Sequence, residues 1–292
     1  MLRPVSAVTG AILLCALLIS YFGSLHPIAD SLAVFRPGLA VVLILTMLPV
    51  LRWRLLAWPA FAIGTVSLAL RALALLPAAD GPVDIVLYQK NLLFRLADPA
   101  PILADINASA PDVVALQEVS ENNRGILEAL TETHPYQHFC PFGRVGGTAI
   151  LSRFEFTDVE ALCLAEDGLA AAQVNHPKQP LWVVSLHLHW PWPHRQAAQV
   201  ERFVPLLEKL DHPVIVAGDF NMVPWSHSVR QIASATGTGP IGPVLPTYHF
   251  AGQSLGLGIS IDHVLAPAGG TLTRRPGLGS DHMGLLAGVA LP

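Results

Sequence analysis

The chain of 292 residues is 52% hydrophobic and 13% charged, with a mean hydropathy of +0.50, and this composition excludes an ordinary soluble domain. The apolar excess lies at the front of the chain. We therefore predict a membrane anchor over residues 1–80 and one globular domain over residues 81–292, which is long enough for a complete hydrophobic core.

Three apolar segments of the anchor approach the roughly 20 residues that cross a bilayer. We place them near residues 5–22, 32–51 and 55–76. The middle segment is the weakest, because its unbroken apolar run begins at Leu39 and extending it back requires Arg36 to reach the interface. A cleaved signal peptide is the alternative for the first segment, but the apolar segments that follow favour a retained anchor.

The few basic residues of the anchor predict its orientation. Arg3 precedes the first segment, and Arg52 and Arg54 separate the second from the third, so the positive-inside rule puts both regions in the cytoplasm. Three spans then predict a multi-pass protein of the inner membrane, with the globular domain on the extracytoplasmic side after a short connector, 77–82. If the middle segment does not span the membrane, the globular domain is predicted on the cytoplasmic side instead.

Residues 81–292 carry 12 of the 17 basic residues and 19 of the 21 acidic ones, a formal charge of −7. A basic surface that holds a nucleic-acid backbone is therefore not expected, and nucleic acid is the less favoured partner. Cys140 and Cys163 form one disulfide if the domain is exported, although two unrelated buried cysteines are the favoured interpretation.

Apolar strands alternate with amphipathic helices in the globular domain. The predicted strands are Val83–Tyr88, Val113–Gln117, Thr148–Ser152, Ala171–Val174, Leu181–Leu188, Val214–Ala217, Ser260–Leu265 and Leu285–Ala290. The predicted helices are Pro101–Ala110, Asn122–Thr133, Arg195–Lys209 and Ser226–Thr236. Pro205 is expected to kink the third helix, and Gly237–Pro246 is a predicted loop.

The stretch Val214–Asn221 combines a short buried strand with two polar residues at its end. Gly218 permits a sharp turn, and Asp219 and Asn221 lie two positions apart, on one side of an extended segment. A carboxylate beside a carboxamide suits a divalent cation, or a phosphate with its attacking water. Taken alone, an ordinary strand-to-loop turn explains the stretch equally well.

Other strand ends also carry polar residues. The apolar run from Asp112 ends at Glu118, which is a candidate metal ligand or the start of a helix, and Asn91 at another strand end is a neutral oxygen ligand or a phosphate contact. His187 and His189 lie on one side of a third strand, where an imidazole can steady phosphate charge or protonate a leaving oxygen. His187 is the preferred candidate of the two.

The loop after that strand is aromatic. Trp190 and Trp192 either rim a pocket, touch lipid headgroups or simply pack, and Arg195 is a candidate phosphate ligand. Near the C-terminus, Asp262 is a candidate to orient His282, which would select its tautomer and raise its basicity. Zinc-site, serine-hydrolase, Walker and dinucleotide-binding motifs are absent from the sequence.

In chain order, six short motifs resemble the endonuclease/exonuclease/phosphatase superfamily, which includes deoxyribonuclease I, apurinic endonucleases, neutral sphingomyelinases and inositol polyphosphate 5-phosphatases. They are Asn91, Leu-Gln-Glu118, Ser-Leu-His187, Gly-Asp219-Phe-Asn221, Ile-Asp262-His and Ser-Asp281-His282. The resemblance covers essentially all of residues 83–291. It implies a four-layer α/β fold, a two-sheet β-sandwich flanked by helices, with the site where strand ends of both sheets meet.

Carried over to matching positions, the resemblance implies a divalent-metal site. Glu118 would hold the metal, Mg²⁺ or alternatively Mn²⁺, with Asn91 nearby and Asp281 completing the metal or water network. Asp219 would position or deprotonate the attacking water, helped by Asn221.

The same resemblance assigns the imidazoles to the phosphate. His187 and His282, the latter oriented by Asp262, would stabilise the phosphorus centre during attack, and we add His189 and Arg195 as candidate substrate contacts. Two departures weaken a nuclease assignment. Leu93 stands where nucleases often carry an acidic residue, and residues 168–174 offer no obvious carboxylate partner for the central histidine.

The favoured hypothesis is a membrane-tethered, divalent-metal-dependent phosphoesterase in which water attacks phosphorus directly. The short connector, the acidic domain and the aromatic loop favour a phosphorylated substrate at the membrane lipid, such as a phospholipid or polyprenyl-pyrophosphate headgroup. A metal-dependent nuclease and a non-catalytic membrane-bound binding module are the alternatives. No protein partner is predicted.

Overall fold

The computed structural model describes residues 2–52, 54–74, 76, 82–211, 213–249 and 258–292. Within these ranges, N-terminal helices precede two six-stranded sheets that carry further helices on their outer faces. The predicted connector lies outside the described residues, except for its last position. The predicted two-sheet α/β sandwich is therefore the observed architecture of the globular domain.

The N-terminal region is helical throughout most of its described length. Its α-helices are α1 (Leu2–Ile19), α2 (Pro27–Ser31), α3 (Arg36–Met47) and α4 (Arg54–Ala74). Short 3₁₀ turns join α2 to α3 and extend α3, so that Pro27–Val50 is one continuous helical segment of 24 residues.

Among the described helices, only Pro27–Val50 is long and apolar enough to cross a membrane. Arg3–Ile19 and Ala57–Leu73 are apolar but shorter than 18 residues, so the prediction of about three spans is wrong in number. A span requires continuous helix as well as apolar composition, and the turn after Ile19 cuts the first apolar run short. The multi-pass topology and the orientation that depended on it lose their support.

Each sheet mixes parallel and antiparallel strands. The first sheet has the order β11-β12-β1-β2-β4-β3, with β1 Ile85–Asn91, β2 Val113–Val119, β3 Tyr136–Pro141, β4 Gly147–Ser152, β11 Gly270–Arg275 and β12 Gly284–Val289. The second has the order β5-β6-β7-β8-β10-β9, with β5 Leu162–Leu164, β6 Leu169–Val174, β7 Leu181–His187, β8 Val214–Asp219, β9 Gly239–Pro240 and β10 Asp262–Ala266.

The central pair of each sheet is parallel, and this places the functional strand ends at one edge. In β1 and β2, Asn91 lies opposite Gln117, and in β7 and β8, His187 lies opposite Asp219. The antiparallel strand β10 begins at Asp262, which also lies opposite Asp219. Parallel strands end at the same edge of a sheet, so each register groups the polar residues of its own sheet, and the packing of the two sheets brings the two groups to one site.

Three apolar layers hold the sandwich together. The core between the sheets is built from residues such as Leu87, Val183 and Ile215, all fully buried. Outside the first sheet lie α5 (Ala100–Ser109) and α6 (Gly125–Ala129), and outside the second lie α7 (Gln196–Leu207) and α8 (His227–Thr236). This arrangement gives the predicted four layers.

Several predicted boundaries are wrong. The helix predicted over Asn122–Thr133 shortens to α6, and the edge strands β3, β5, β9 and β11 were not predicted. Edge strands are paired on one side only and keep partly exposed side chains, so their sequences lack the apolar pattern of a buried strand. Pro205 lies in the last turn of α7 and does not end the helix.

Cys140 and Cys163 form a disulfide, with their Cα atoms 5.2 Å apart. The favoured interpretation of two unrelated cysteines is therefore wrong. Sequence spacing could not decide between a disulfide and two unrelated cysteines. The pair joins β3 of the first sheet to β5 of the second, and only the packing of the two sheets brings these edge strands together. Disulfides are typical of oxidising, extracytoplasmic compartments.

The segment before α3 is docked onto the globular domain. The carboxylate of Asp30 accepts hydrogen bonds from the backbone N–H groups of His227 and Ser228 at the start of α8, at 2.5 and 3.0 Å. The Trp225 indole donates to the carbonyl of Ala33 at 2.8 Å. A negative charge at a helix N-terminus is favourable, so these contacts tie the apolar segment to the domain.

His263 in β10 makes stability depend on pH. Its ring is buried against Phe220, Nε2 donates to the carbonyl of Met222 at 2.7 Å, and burial lowers its pKa from 6.5 to about 4. The unfolded chain therefore binds more protons in this window, and we expect His263 to cost up to about 3 kcal/mol of unfolding free energy as pH falls from 6.5 to 4.

Denaturant unfolding of the wild type and of His263→Gln across that pH range tests this expectation. Glutamine retains an N–H donor for Met222 but does not titrate, so the variant should show a shallower loss of stability in acid. Parallel pH profiles for the two proteins would contradict the assignment.

Candidate functional site

The carboxylate of Glu118 is held where β1 and β2 end. Glu118 has a positive φ of 56°, which turns its mostly buried side chain back toward the strand ends. Its Oε2 accepts from the backbone N–H of Phe94 at 2.7 Å, and its Oε1 accepts from Asn91 Nδ2 at 3.1 Å. Two donors thus orient one carboxylate at the edge of the first sheet.

Asn91 links this carboxylate to the second sheet. The same Nδ2 group lies 3.1 Å from Asp219 Oδ2, while Asn91 Oδ1 accepts from the N–H of Leu93 at 2.9 Å. Asn91 is fully buried. In this arrangement its amide bridges two carboxylates of opposite sheets, and its oxygen is used by the backbone.

Asp219 and Asn221 form a tight turn after β8. The backbone N–H of Asn221 donates to Asp219 Oδ1 at 2.8 Å, and Asn221 Nδ2 donates to the carbonyl of Leu188 at 2.8 Å. Asn221 has a positive φ of 48°, and its Oδ1 is buried with no hydrogen-bond partner among the described residues. An unpaired buried acceptor is costly, so this oxygen is available for a ligand.

Two imidazoles complete the cluster. The Nε2 atoms of His187 and His282 lie 3.5 and 3.7 Å from Asp219 Oδ2, and His187 Nε2 lies 3.8 Å from Glu118 Oε1. His282 Nδ1 is hydrogen-bonded to Asp262 Oδ2 at 2.8 Å, which leaves Nε2 of His282 facing the site. The orientation predicted for the Asp262–His282 pair is the one in the structure.

The two imidazoles have opposite electrostatic environments. Burial alone would lower the pKa of His282, but the Asp262 and Asp219 carboxylates outweigh it and raise the pKa to about 10. Burial, reinforced by the positive charge of His282, lowers the pKa of His187 to about 3. At neutral pH the site therefore contains one imidazolium and one neutral imidazole.

The carboxylates indicate where a cation fits. Burial raises the pKa of Glu118 and, against the opposing charge of His282, that of Asp219. Asp219, Asp262 and His282 offer ligand atoms within 4.8 Å of one another, but Asp262 and His282 already bind each other. A divalent cation beside Glu118 would offset the buried negative charge, so the donor set fits such an ion.

The three remaining predicted residues lie outside this cluster. His189 is half-buried and lines the adjoining cavity, but Asp281 and Arg195 are exposed. Arg195 lies at the N-terminus of α7, and the described residues that line the cavity do not include it. Asp281 acts on Glu118 and His282 only through its charge, so the structure does not bring it among the candidate ligands.

Residues at alternate positions of the strands, which we did not predict, support the site from behind. Gln89 Nε2 donates to Asp262 Oδ1 at 2.9 Å and to Gln117 Oε1 at 2.8 Å, and Gln117 Nε2 donates to Ser185 Oγ at 3.0 Å. The buried Lys90 ammonium donates to three carbonyls, including that of His282 at 2.6 Å. The signal available in the sequence was the unusual run of polar residues inside two buried strands.

A cavity of about 410 Å³ opens beside the cluster and is lined by Glu118, His187 and Asn221. Phe142 lies edge-on to His187, with ring centroids 5.6 Å apart, and Trp190 lines the cavity with 42% of its surface exposed. One of the three alternatives for the aromatic loop, a pocket rim, therefore holds for this residue. His187 Nδ1 has no hydrogen-bond partner among the described residues, and residues 168–174 carry no carboxylate.

A two-sheet α/β sandwich with carboxylates, amides and imidazoles at the joined strand ends defines a class of hydrolases that act on phosphoester bonds. The model of the Endonuclease/Exonuclease/phosphatase family matches residues 89–282, about two thirds of the sequence, and the chain belongs to that family. The resemblance inferred from six short motifs is thereby confirmed.

Solved structures agree on the fold. The chain is similar to an endonuclease/exonuclease/phosphatase from Bacteroides vulgatus, with a TM-score of 0.58, 17% identity and coverage of 72% of this chain and 100% of the other. Sphingomyelinase C from Streptomyces griseocarneus has a TM-score of 0.52 and 18% identity, with coverage of 72% of this chain and 100% of the other. A Staphylococcus aureus beta toxin variant with bound magnesium ions has a TM-score of 0.51 and 15% identity, with coverage of 71% of this chain and 100% of the other. No curated protein sequence matches the chain.

The charge on His282 depends chiefly on Asp262. In the metal-free protein, Asp262→Asn should lower the His282 pKa by roughly two units, because it removes the nearest opposite charge. Nuclear magnetic resonance titration of the imidazole nitrogens measures this shift. Asp281→Asn is the matched control and should cause a smaller change, since its exposed carboxylate contributes least. Equal shifts in the two variants would contradict this account of the charge.

Proposed function

We propose that this protein is a membrane-tethered, divalent-metal-dependent phosphoesterase that hydrolyses a phosphoester or pyrophosphate of a lipid headgroup. The observation that carries the proposal is the convergence of Glu118, Asp219 and His282 around one space, although 164 positions separate the first from the last. A metal ligand, a water-binding carboxylate and a cationic donor are the groups that direct attack of water on phosphorus requires.

Glu118 would hold Mg²⁺, or alternatively Mn²⁺, and the ion would offset negative charge on the phosphate. Asn91 supports this site by orienting Glu118 and Asp219 together. The Staphylococcus aureus beta toxin variant with the same fold contains magnesium ions, which supports the choice of metal. The two buried carboxylates of this chain, with one imidazolium beside them, support it independently.

Asp219 would orient the attacking water and accept its proton, since the backbone N–H of Asn221 fixes one carboxylate oxygen and leaves the other facing the imidazoles. His282, positively charged, would bind a phosphate oxygen through Nε2–H. His187 stays neutral and would add a second, uncharged donor from Nε2. The water, the phosphorus and the leaving oxygen would then lie between these groups.

The surroundings of the site favour a lipid over a nucleic acid. The formal charge of −7 over residues 81–292 repels a polyanion, whereas a single headgroup phosphate needs only the local cations. Trp190 at the cavity and Trp192 in the same loop expose 42% and 49% of their surfaces, and such aromatic residues prefer a membrane interface. The apolar N-terminal helices, of which Pro27–Val50 is the longest, would together supply the anchor, and the disulfide favours an extracytoplasmic domain.

Purified full-length protein in detergent with Mg²⁺ should hydrolyse phosphorylated lipids in a panel that also contains nucleotides and plasmid DNA. Asp219→Ala and His282→Ala should each lower the rate by about 10³-fold, because each removes a group that contacts the reacting phosphate. Asp158→Asn, at an exposed position, is the control. Absence of turnover on every phosphoester would refute the proposal, and plasmid nicking without lipid hydrolysis would favour the nuclease alternative.

The metal site is tested by binding rather than by activity. Glu118→Gln should weaken Mn²⁺ binding by more than about tenfold, because it removes the negative charge of the proposed metal ligand while keeping the shape of the side chain. Isothermal titration calorimetry measures the affinity. Glu121→Gln changes an exposed carboxylate three residues away and should bind as the wild type does. An unchanged affinity in Glu118→Gln would place the metal elsewhere.

A further inference from the structure

An apolar cavity of about 690 Å³ lies where the N-terminal helices meet the globular domain, apart from the polar cavity described above. Leu13 of α1, residues of the segment Pro27–Val50 such as Val34, Gly38 and Val42, and Ile259 of the globular domain line it. Every lining residue within the described part of the chain is apolar or glycine. We name this feature the junction groove. Its volume lies within the range of about 300–1,000 Å³ that is typical of ligand sites.

The junction groove adjoins the candidate site through one backbone bridge. Ile259 and Tyr248 exchange two backbone hydrogen bonds, each of 3.0 Å, and Tyr248 is also bridged to His282. The Tyr248 ring lies 5.0 Å from the imidazole of His282 and 5.8 Å from the Trp190 ring, measured between centroids. Ile259 at the groove and His282 at the site therefore pair with the same residue, Tyr248.

The apolar lining of the junction groove favours a hydrocarbon ligand. Val42 and Phe35 in the segment Pro27–Val50 expose 48% and 61% of their surfaces, and exposed apolar area of this kind is unfavourable in water. The segment is also the described helix with the composition of a membrane span, so lipid hydrocarbon would contact its exposed face. The docked Asp30 holds this segment against α8, which keeps the groove beside the domain.

We propose that the junction groove binds an acyl chain of a phospholipid substrate while the phosphate of the same molecule lies between Glu118, Asp219 and His282. This inference rests on the proposed function, and it adds the site that recognises the substrate's hydrocarbon. The polar site would bind the headgroup and the groove would bind the acyl chain, so that the lipid could reach the site while its chain stays in an apolar environment. Substrate choice would then depend on the chain as well as on the headgroup.

Gly38→Phe is the sharpest test, because a Cβ at Gly38 meets no atom within 4 Å and a larger side chain can fill the groove without a clash at its root. Val41→Phe is the matched control. It adds the same ring to the same helix, at an exposed position that does not line the groove. Both variants are compared with the wild type in full-length protein reconstituted in phospholipid vesicles.

The first readout is the ratio of phospholipid hydrolysis to hydrolysis of a water-soluble nitrophenyl phosphodiester. Gly38→Phe should lower this ratio about tenfold, the effect of excluding two methylene groups from an apolar site. Val41→Phe should keep the ratio of the wild type. A ratio unchanged in Gly38→Phe would overturn the proposal, and an equal fall in both variants would assign the effect to the membrane insertion of the helix.

The second readout does not need turnover, so it separates a failed groove from a failed enzyme. A phospholipid with a diazirine in its acyl chain is photolysed in the vesicles, and the labelled residues are located by mass spectrometry. Labelling concentrated on the junction groove and lost in Gly38→Phe supports the proposal, even if no substrate is hydrolysed. Labelling spread evenly around the helix, or preference for a polyprenyl probe over the phospholipid probe, overturns it.

Discussion

The structure depends on one buried arrangement, the amide of Asn91 between the carboxylates of Glu118 and Asp219. Each carboxylate belongs to a different sheet, and each lies in a mostly buried position where its charge is costly. One amide group reduces their repulsion but does not neutralise them. The imidazolium of His282, 3.7 Å from Asp219, offsets part of this negative charge, and a divalent cation beside Glu118 would offset more of it.

A second buried network holds the imidazoles in contrasting charge states. Asp262 keeps His282 protonated, and Gln89 donates to the other oxygen of Asp262 from the opposite sheet. His187 has no such carboxylate and is kept neutral by burial and by its charged neighbour. A charged imidazole, His282, and a neutral one, His187, therefore lie in the same site, because only His282 is paired with a carboxylate.

The N-terminal region packs against the domain that carries the site. Its apolar segment is tied to the start of α8 through Asp30, and α8 follows the turn that carries Asp219 and Asn221. The same segment forms one wall of the junction groove. Through Asp30 and Ile259, the N-terminal segment and the groove therefore adjoin the domain that carries the polar site.

The sequence alone predicted the sandwich and its central strands, because buried strands have strong apolar patterns, and six motifs in order singled out Glu118, Asp219 and His282, which the fold brings together. It was insufficient for the disulfide, the edge strands and the number of membrane-length helices, since these depend on pairing and on continuous helix geometry. Gln89 and Lys90 were missed for the same reason. Their roles come from partners about 170 to 190 residues away, and only folding brings such partners within hydrogen-bond distance.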